Sequence, residues 1–279
     1  MRRFVGGLFA IAGGFVTEDL KARLQQSRAN VVYRWFKDRC NFAKLEKEAR
    51  GWSAIDQVRS EFYSELLERG DLVFDVGANV GNRSKVFLQV GARVVAFEPQ
   101  RKCTDLLARV FQNNSRFTLE RCALGAQVGE TDIYVSAAHT ISSLSTEWVQ
   151  AVRASGRFAS HEWNRKERVV VDTLDRAIQR HGRPAFIKID VEGFEAEVLK
   201  GLSSLVPLVS VEFTPELMER TFECIARLAA LGRVECQVSL GESMRFALPS
   251  WVSEADVRRY LESVDRTEFG DVYIRSMPQ

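Results

Sequence analysis

Between Leu72 and Pro99 the chain reads LVFDVGANVGNRSKVFLQVGARVVAFEP, and this stretch restricts the possible folds more than any other. Leu72-Val73-Phe74 is a short apolar run, the composition of a strand buried on both faces. The run stops at Asp75, and a turn with glycines at Gly77 and Gly81 follows. Asn82 to Leu88 reads as the first turns of a helix. A second apolar run, Val94-Val95-Ala96-Phe97, ends in Glu98-Pro99. Strand, glycine turn, helix, strand and terminal acid together make a nucleotide-binding βαβ unit.

The residues of the turn narrow the nucleotide. A dinucleotide fingerprint needs G-x-G-x-x-G, so that backbone amides can approach a pyrophosphate. Here the pattern is D-x-G-x-x-x-G, formed by Asp75, Gly77 and Gly81, and it suits a ligand with an adenosine but no phosphate. Gly77 leaves room for close approach of backbone to ligand, and Gly81 lets the helix pack tightly. Asp75 puts a negative group near a ligand ammonium or sulfonium. Glu98, 23 residues after Asp75, sits at the tip of the second strand, where a carboxylate accepts hydrogen bonds from both ribose hydroxyls. This combination fits S-adenosylmethionine (SAM).

Composition removes other classes. The net charge of +2 offers no argument for nucleic acid as a partner, and none is expected. Five scattered cysteines without a C-x-x-C, and three isolated histidines, make neither a disulfide framework nor a His/Cys metal centre. They point to a reducing compartment, read here as the cytoplasm. Two arginines precede an apolar run from Phe4 to Val16 that imitates a signal peptide. That run holds four glycines and is shorter than the ~20 residues needed to span a bilayer. It reads as an N-terminal helix or docking segment, with peripheral membrane contact as the alternative. Residues 1–50 carry eleven Lys/Arg against five Asp/Glu, an excess that suits a solvated basic helix face.

The rest of the chain alternates helices and strands. Lys21 to Arg69 is helical in pattern, clearest where Ile55, Val58, Phe62 and Leu66 recur at spacings of three and four. Phe62 and Tyr63 are read as core. Lys102 to Phe111 returns the chain to the sheet, and Phe117 to Leu124 reads as one strand reaching a turn at Gly125. The strand end at Cys122 and Ala123 then lies on the edge that holds Gly77 and Glu98. Residues 130–175 break the alternation with a hairpin and a long aromatic loop, read as part of a substrate wall. Its His139, like His161, is read as a loop histidine. Strands from Ala185 to Asp190 and Leu208 to Phe213 follow, then a helix from Glu216, a strand from Val234 to Leu240, a Ser253-x-x-Asp256 helix cap and a closing strand from Asp271 to Ile274. The expected fold is α/β and Rossmann-like, a seven-stranded, mostly parallel sheet whose last strand inserts antiparallel.

The motifs LVFDVGANVG, VVAFEP, CALG, VDTLD, FIKIDVEGFEAEVLKG and VSVEF, taken in this order, resemble the FkbM family of SAM-dependent methyltransferases. The likeness covers residues 70–213, with 270–275 also in character, while residues 1–60 and 216–260 carry no comparable signature. It implies a class I methyltransferase domain at 70–279 behind an N-terminal helical extension at 1–69. It also implies O-methylation of a hydroxyl on a glycan or polyketide-like acceptor. By position, Asp75, Gly77, Asn79, Gly81 and Glu98 match the cofactor-binding parts, with Cys122-Ala123 near the adenine. Asp190 and Glu192 match the family's D-x-E-G.

A hydroxyl acceptor needs a base beside the methyl group. Asp190 is the first candidate, Glu192 the second and Glu212 the third, with His139 behind them. The same three carboxylates offer an alternative role as hard oxygen ligands for Mg²⁺. Glu192 has a further reading, as a carboxylate stabilising the N-terminus of the helix after Gly193. Two other classes stay open: a non-catalytic SAM-binding scaffold, and an NAD-linked oxidoreductase, which the missing G-x-G disfavours.

Overall fold

The computed structural model describes residues 42–135, 145, 165–265 and 267–277. The apolar N-terminal segment, the residues around Val31 and Trp35, and the loop with His139, His161 and Trp163 lie outside these residues. The described residues from Ala49 onward belong to one compact unit and residues 42–48 to another. Residues 42–48 are helical and carry the ion pair Lys44–Glu48. Among the described residues no helix is long and apolar enough to cross a membrane.

The main sheet has seven strands: β1 (Leu72–Val76), β2 (Arg93–Phe97), β3 (Phe117–Glu120), β7 (Phe186–Ile189), β8 (Leu208–Phe213), β9 (Val234–Leu240) and β10 (Gly270–Ser276). Their order is β3-β2-β1-β7-β8-β10-β9. All neighbours are parallel except β10, which runs antiparallel between β8 and β9. The expected seven strands and the inserted last strand are thus both present.

Every residue of β1 is buried, as its unbroken apolar run requires. Phe74 and Val76 pack into one hydrophobic cluster and Val73 into the other. The helices divide accordingly. α1 (Ala54–Ser64), α2 (Asn82–Gln89) and α3 (Arg101–Phe111) supply Phe62, Tyr63, Phe87, Leu107 and Phe111 to one face. α4 (Leu174–His181), α5 (Glu195–Lys200), α6 (Met218–Ala229) and α7 (Glu254–Ser263) cover the other. Phe62 and Tyr63 are core residues: their rings pack edge-on to each other, and Tyr63 packs the same way on Phe87. Ser53 caps α1 reciprocally with Asp56, and Ser253 caps α7 through its hydroxyl.

One expected strand divides. β3 ends at Glu120, and after Arg121-Cys122 the chain enters β4 (Ala123–Leu124), which leaves the main sheet. β4 pairs with β6 (Arg165–Asp172), through Ala123 with Val171 and Leu124 with Asp172. β6 also runs antiparallel to β5 (Gly129–Val135), giving the expected hairpin as a second, three-stranded sheet. The reason lies in the pairing: the alternative partner for Ala123 comes from residues far downstream, which no local pattern announces.

Candidate active site

Strand order reverses between β1 and its neighbours β2 and β7, and open α/β sheets bind ligands at such a point, beyond the strands' carboxyl ends. A cavity of about 270 Å³ lies there. Asp75, Gly77, Asn79, Glu98, Cys122, Ala123, Asp190, Glu192 and Glu212 all line it. Gly81, the remaining predicted residue, is not among the residues that line it. Left-handed Gly81 (φ +86°) precedes α2, and a Cβ there would fall 2.7 Å from the Phe111 ring.

The turn itself explains the glycine pattern. Gly77 has φ +83°, and a Cβ on it would stand 1.9 Å from the backbone oxygen of Asp190. Its amide and that of Ala78 both donate to the Phe97 carbonyl, and the Gly81 amide donates to the Ala78 carbonyl. Asn79, left-handed at φ 51°, donates its amide to Glu98 Oε2 at 2.8 Å. Four amides of the turn are therefore engaged inside the protein, whereas a pyrophosphate reader turns such amides towards its ligand.

Glu98 and Asp75 are buried acids. Glu98 accepts the amides of Asn79 and, at 2.7 Å, Gln100, so its carboxylate builds the turn as well as facing the cavity. Burial pushes its pKa up to about 7 against those hydrogen bonds. Burial likewise pushes Asp75 up to about 6, although Ser84 Oγ donates to it at 2.5 Å. Both raised acids hold protons that ordinary carboxylates have lost, so the empty fold loses stability as pH rises from about 4 to 7. A ligand that donates hydrogen bonds or brings a cation to these acids favours their ionised forms. Binding of S-adenosylhomocysteine is therefore expected to release protons at pH 6–7 and to tighten with pH up to about 7.5, by at most ~10-fold per unit for each proton released. Calorimetry in two buffers of different ionisation enthalpy measures this directly; identical heats in both would remove the link.

Beyond Gly77, three carboxylates meet. Asp190, Glu192 and Glu212 bring one oxygen each to within 4.8 Å of one another. Behind Asp190 the fully buried Lys188 donates from Nζ to Asp190 Oδ2 at 3.1 Å and to Asp271 Oδ1 at 3.2 Å. Burial acts against Lys188's charge, but Asp190 and Asp271 outweigh it and hold the ammonium protonated. Burial also acts against Asp190's charge, and Lys188 and Arg83 reverse that, keeping Asp190 ionised below its ordinary pKa. Glu212 is pushed well above its ordinary range by burial and by the charges of Asp190 and Glu192. Within the pair, Asp190 is therefore the carboxyl favoured as the anion and Glu212 the one favoured in its protonated form.

One role moves between residues. The carboxylate at the start of the helix after Gly193 is Glu195, which accepts the amides of Val191 at 3.0 Å and Gly193 at 3.1 Å. It is freed for this by the turn at Glu192 (φ 54°) and Gly193 (φ 88°), which carries Glu192 to the cavity wall. The sequence reading missed Lys188, Glu195, Arg83 and Glu242. For Lys188 a signal existed, since a cation inside the apolar strand FIKID must find a buried partner. Cys122 is a buried lining thiol whose pKa is raised to about 12 by burial, so it is uncharged filler.

Residues 75–265 match the family model described as the methyltransferase FkbM domain. No curated protein matches the chain. Among solved structures, the precorrin-6y C5,15-methyltransferase of Geobacter metallireducens is 11% identical, covering 79% of this chain and 88% of its own, at a TM-score of 0.42. The magnesium protoporphyrin IX methyltransferase of Synechocystis, solved with bound SAM, is 12% identical over 95% of this chain and 100% of its own, at a TM-score of 0.41. A TehB-like SAM-dependent methyltransferase of Corynebacterium glutamicum is 9% identical over 89% and 97%, at a TM-score of 0.40.

Proposed function

This chain belongs to the FkbM methyltransferase family, and we propose that it transfers the methyl group of SAM to a hydroxyl oxygen of a glycan or polyketide-like acceptor. The observation that carries the reading is one cavity lined by both Glu98 and an Asp190 held as an anion. The cradle fits SAM: Gly77 lets the turn pass directly against the Asp190 backbone, where a Cβ would collide, and the engaged turn amides suit a ligand without phosphates. Bound SAM supplies a methyl group already activated by its sulfonium.

The protein's own part is alignment and proton removal. Holding the acceptor oxygen in line with the methyl group can supply ~7–11 kcal/mol of the barrier. Asp190 accepts the hydroxyl hydrogen bond, orients the oxygen and takes the proton as the new C–O bond forms. A positioned base of this kind contributes ~10²–10⁴-fold. Lys188 and Asp271 fix the carboxylate from behind, and protonated Glu212 spares it a second adjacent negative charge.

A second reading of the same acids rests on their convergence. Asp190, Glu192 and Glu212 offer three hard oxygen ligands, and Mg²⁺ held there would acidify the acceptor hydroxyl once Glu212 gave up its proton. The test is a calorimetric titration with S-adenosylhomocysteine and with NADH, followed by a screen of hydroxylated sugars and polyketides, each with Mg²⁺ and with EDTA. Micromolar binding of the first ligand alone, and methyl transfer to an oxygen, are expected. Binding without turnover on any acceptor would favour a scaffold, and NADH binding would overturn the reading. Turnover abolished by EDTA would move the three acids from base to metal ligands.

A further inference from the structure

We propose that Arg83, organised by Glu242 and Arg59, is the seat for the α-carboxylate on the methionine half of the cofactor. The inference rests on the SAM reading above and deepens it. Among the residues lining the cavity, the charged side chains are mostly acids: Asp75, Glu98, Asp190, Glu192, Glu212 and Glu242. Arg59 and Arg83 are the cations among them. A ligand whose far end is an amino acid brings one ammonium and one carboxylate into this wall. The ammonium has several acids to choose from, whereas among the described residues lining the cavity the cations offered to the carboxylate are the two arginines.

The geometry favours Arg83. It is the second residue of α2, so it leaves the same turn that Gly77 and Gly81 shape. Its charge favours the ionised forms of both Asp75 and Asp190, and it lines the same cavity as they do. Its Nη2 is clamped by both oxygens of Glu242 at 2.9 Å, while its Nη1 is buried with no hydrogen-bond partner. A buried guanidinium nitrogen without an acceptor costs free energy that an arriving carboxylate would recover.

The surroundings keep that nitrogen ready. Arg59 donates to the same Glu242 from Nε and Nη2, at 3.3 and 3.0 Å, and pairs with Asp56, which also holds Lys85 at 2.8 Å. Within this cluster Arg59, Arg83 and Lys85 face Glu242 and Asp56. Glu242 is engaged by both arginines. It fixes the fork rather than filling it.

The test compares two ligands on three proteins: S-adenosylhomocysteine and its decarboxylated analogue, titrated into wild type, Arg83→Met and Arg83→Lys. Wild type is expected to bind the complete ligand ~10–100-fold more tightly, the range of a charged hydrogen bond. Arg83→Met is expected to lose that preference while binding the analogue within threefold of wild type, which also shows that the variant is folded. Arg83→Lys should keep part of it, as a point charge without the fork. Equal binding of both ligands by wild type, or an equal loss of both in Arg83→Met, would overturn the assignment while leaving the SAM reading intact. Failure of wild type to bind either ligand would overturn both.

Discussion

Gly77→Ala is expected to abolish cofactor binding while leaving most of the sheet folded. An alanine at φ +83° pays the left-handed penalty of ~1–2 kcal/mol before any contact is considered. Its Cβ would then lie 1.9 Å from the Asp190 backbone oxygen, and neither partner is a side chain that can swing away. Relief requires the turn to move off the end of β7, which drags the Asn79 amide from Glu98 and disturbs the cavity floor. We expect S-adenosylhomocysteine affinity to fall by at least ~100-fold, worth about 2.7 kcal/mol or more, with a lowered melting temperature. Gly70 serves as the comparison: it too has positive φ (+96°), but nothing lies within 4 Å of a Cβ there. Gly70→Ala should therefore pay the backbone penalty and keep its ligand. Near-normal binding by Gly77→Ala, measured by calorimetry, would mean that the turn is not the cofactor's floor.

Asp190→Asn is expected to separate binding from chemistry. Asparagine keeps the shape and can still accept from Lys188, but it cannot take a proton. With the acceptor found by the screen, kcat should fall ~10²–10⁴-fold, the contribution of a positioned base, while S-adenosylhomocysteine affinity stays within threefold. The buried ammonium of Lys188 retains Asp271 at 3.2 Å, so the variant avoids the ~3–5 kcal/mol cost of an unpaired buried charge. Removing the Asp190 anion also removes one of the charges that raise Glu212, so Glu212 should ionise at lower pH than in wild type. A wild-type rate at saturating SAM would end the case for Asp190 as either base or metal ligand.

The two variants probe features of different legibility. The D-x-G-x-x-x-G turn, the terminal acid at Glu98 and the D-x-E-G of β7's end are contiguous motifs, so the cavity's floor and its acids could be placed without coordinates. The roles within it were less visible. Glu192 and Glu195 are both acids beside one helix start, and only the left-handed turn at Glu192 and Gly193 tells which faces the cavity and which holds the backbone. The run from Phe117 to Leu124 shows the same limit. Its apolar pattern suits one strand, yet Ala123 finds its partner at Val171 in another sheet.

Sequence alone set the alternation of strands and helices, the seven-stranded sheet and the edge that carries the cavity, because apolar periodicity, glycine turns and caps act over a few residues. Tertiary structure alone set the ionisation and pairing of the charges. Lys188 meets Asp271 from 83 residues away, and Arg83 meets Glu242 from 159 residues away. A buried charge is tolerated only beside a partner. Which residue that partner is depends on where the folded sheet brings the chain together.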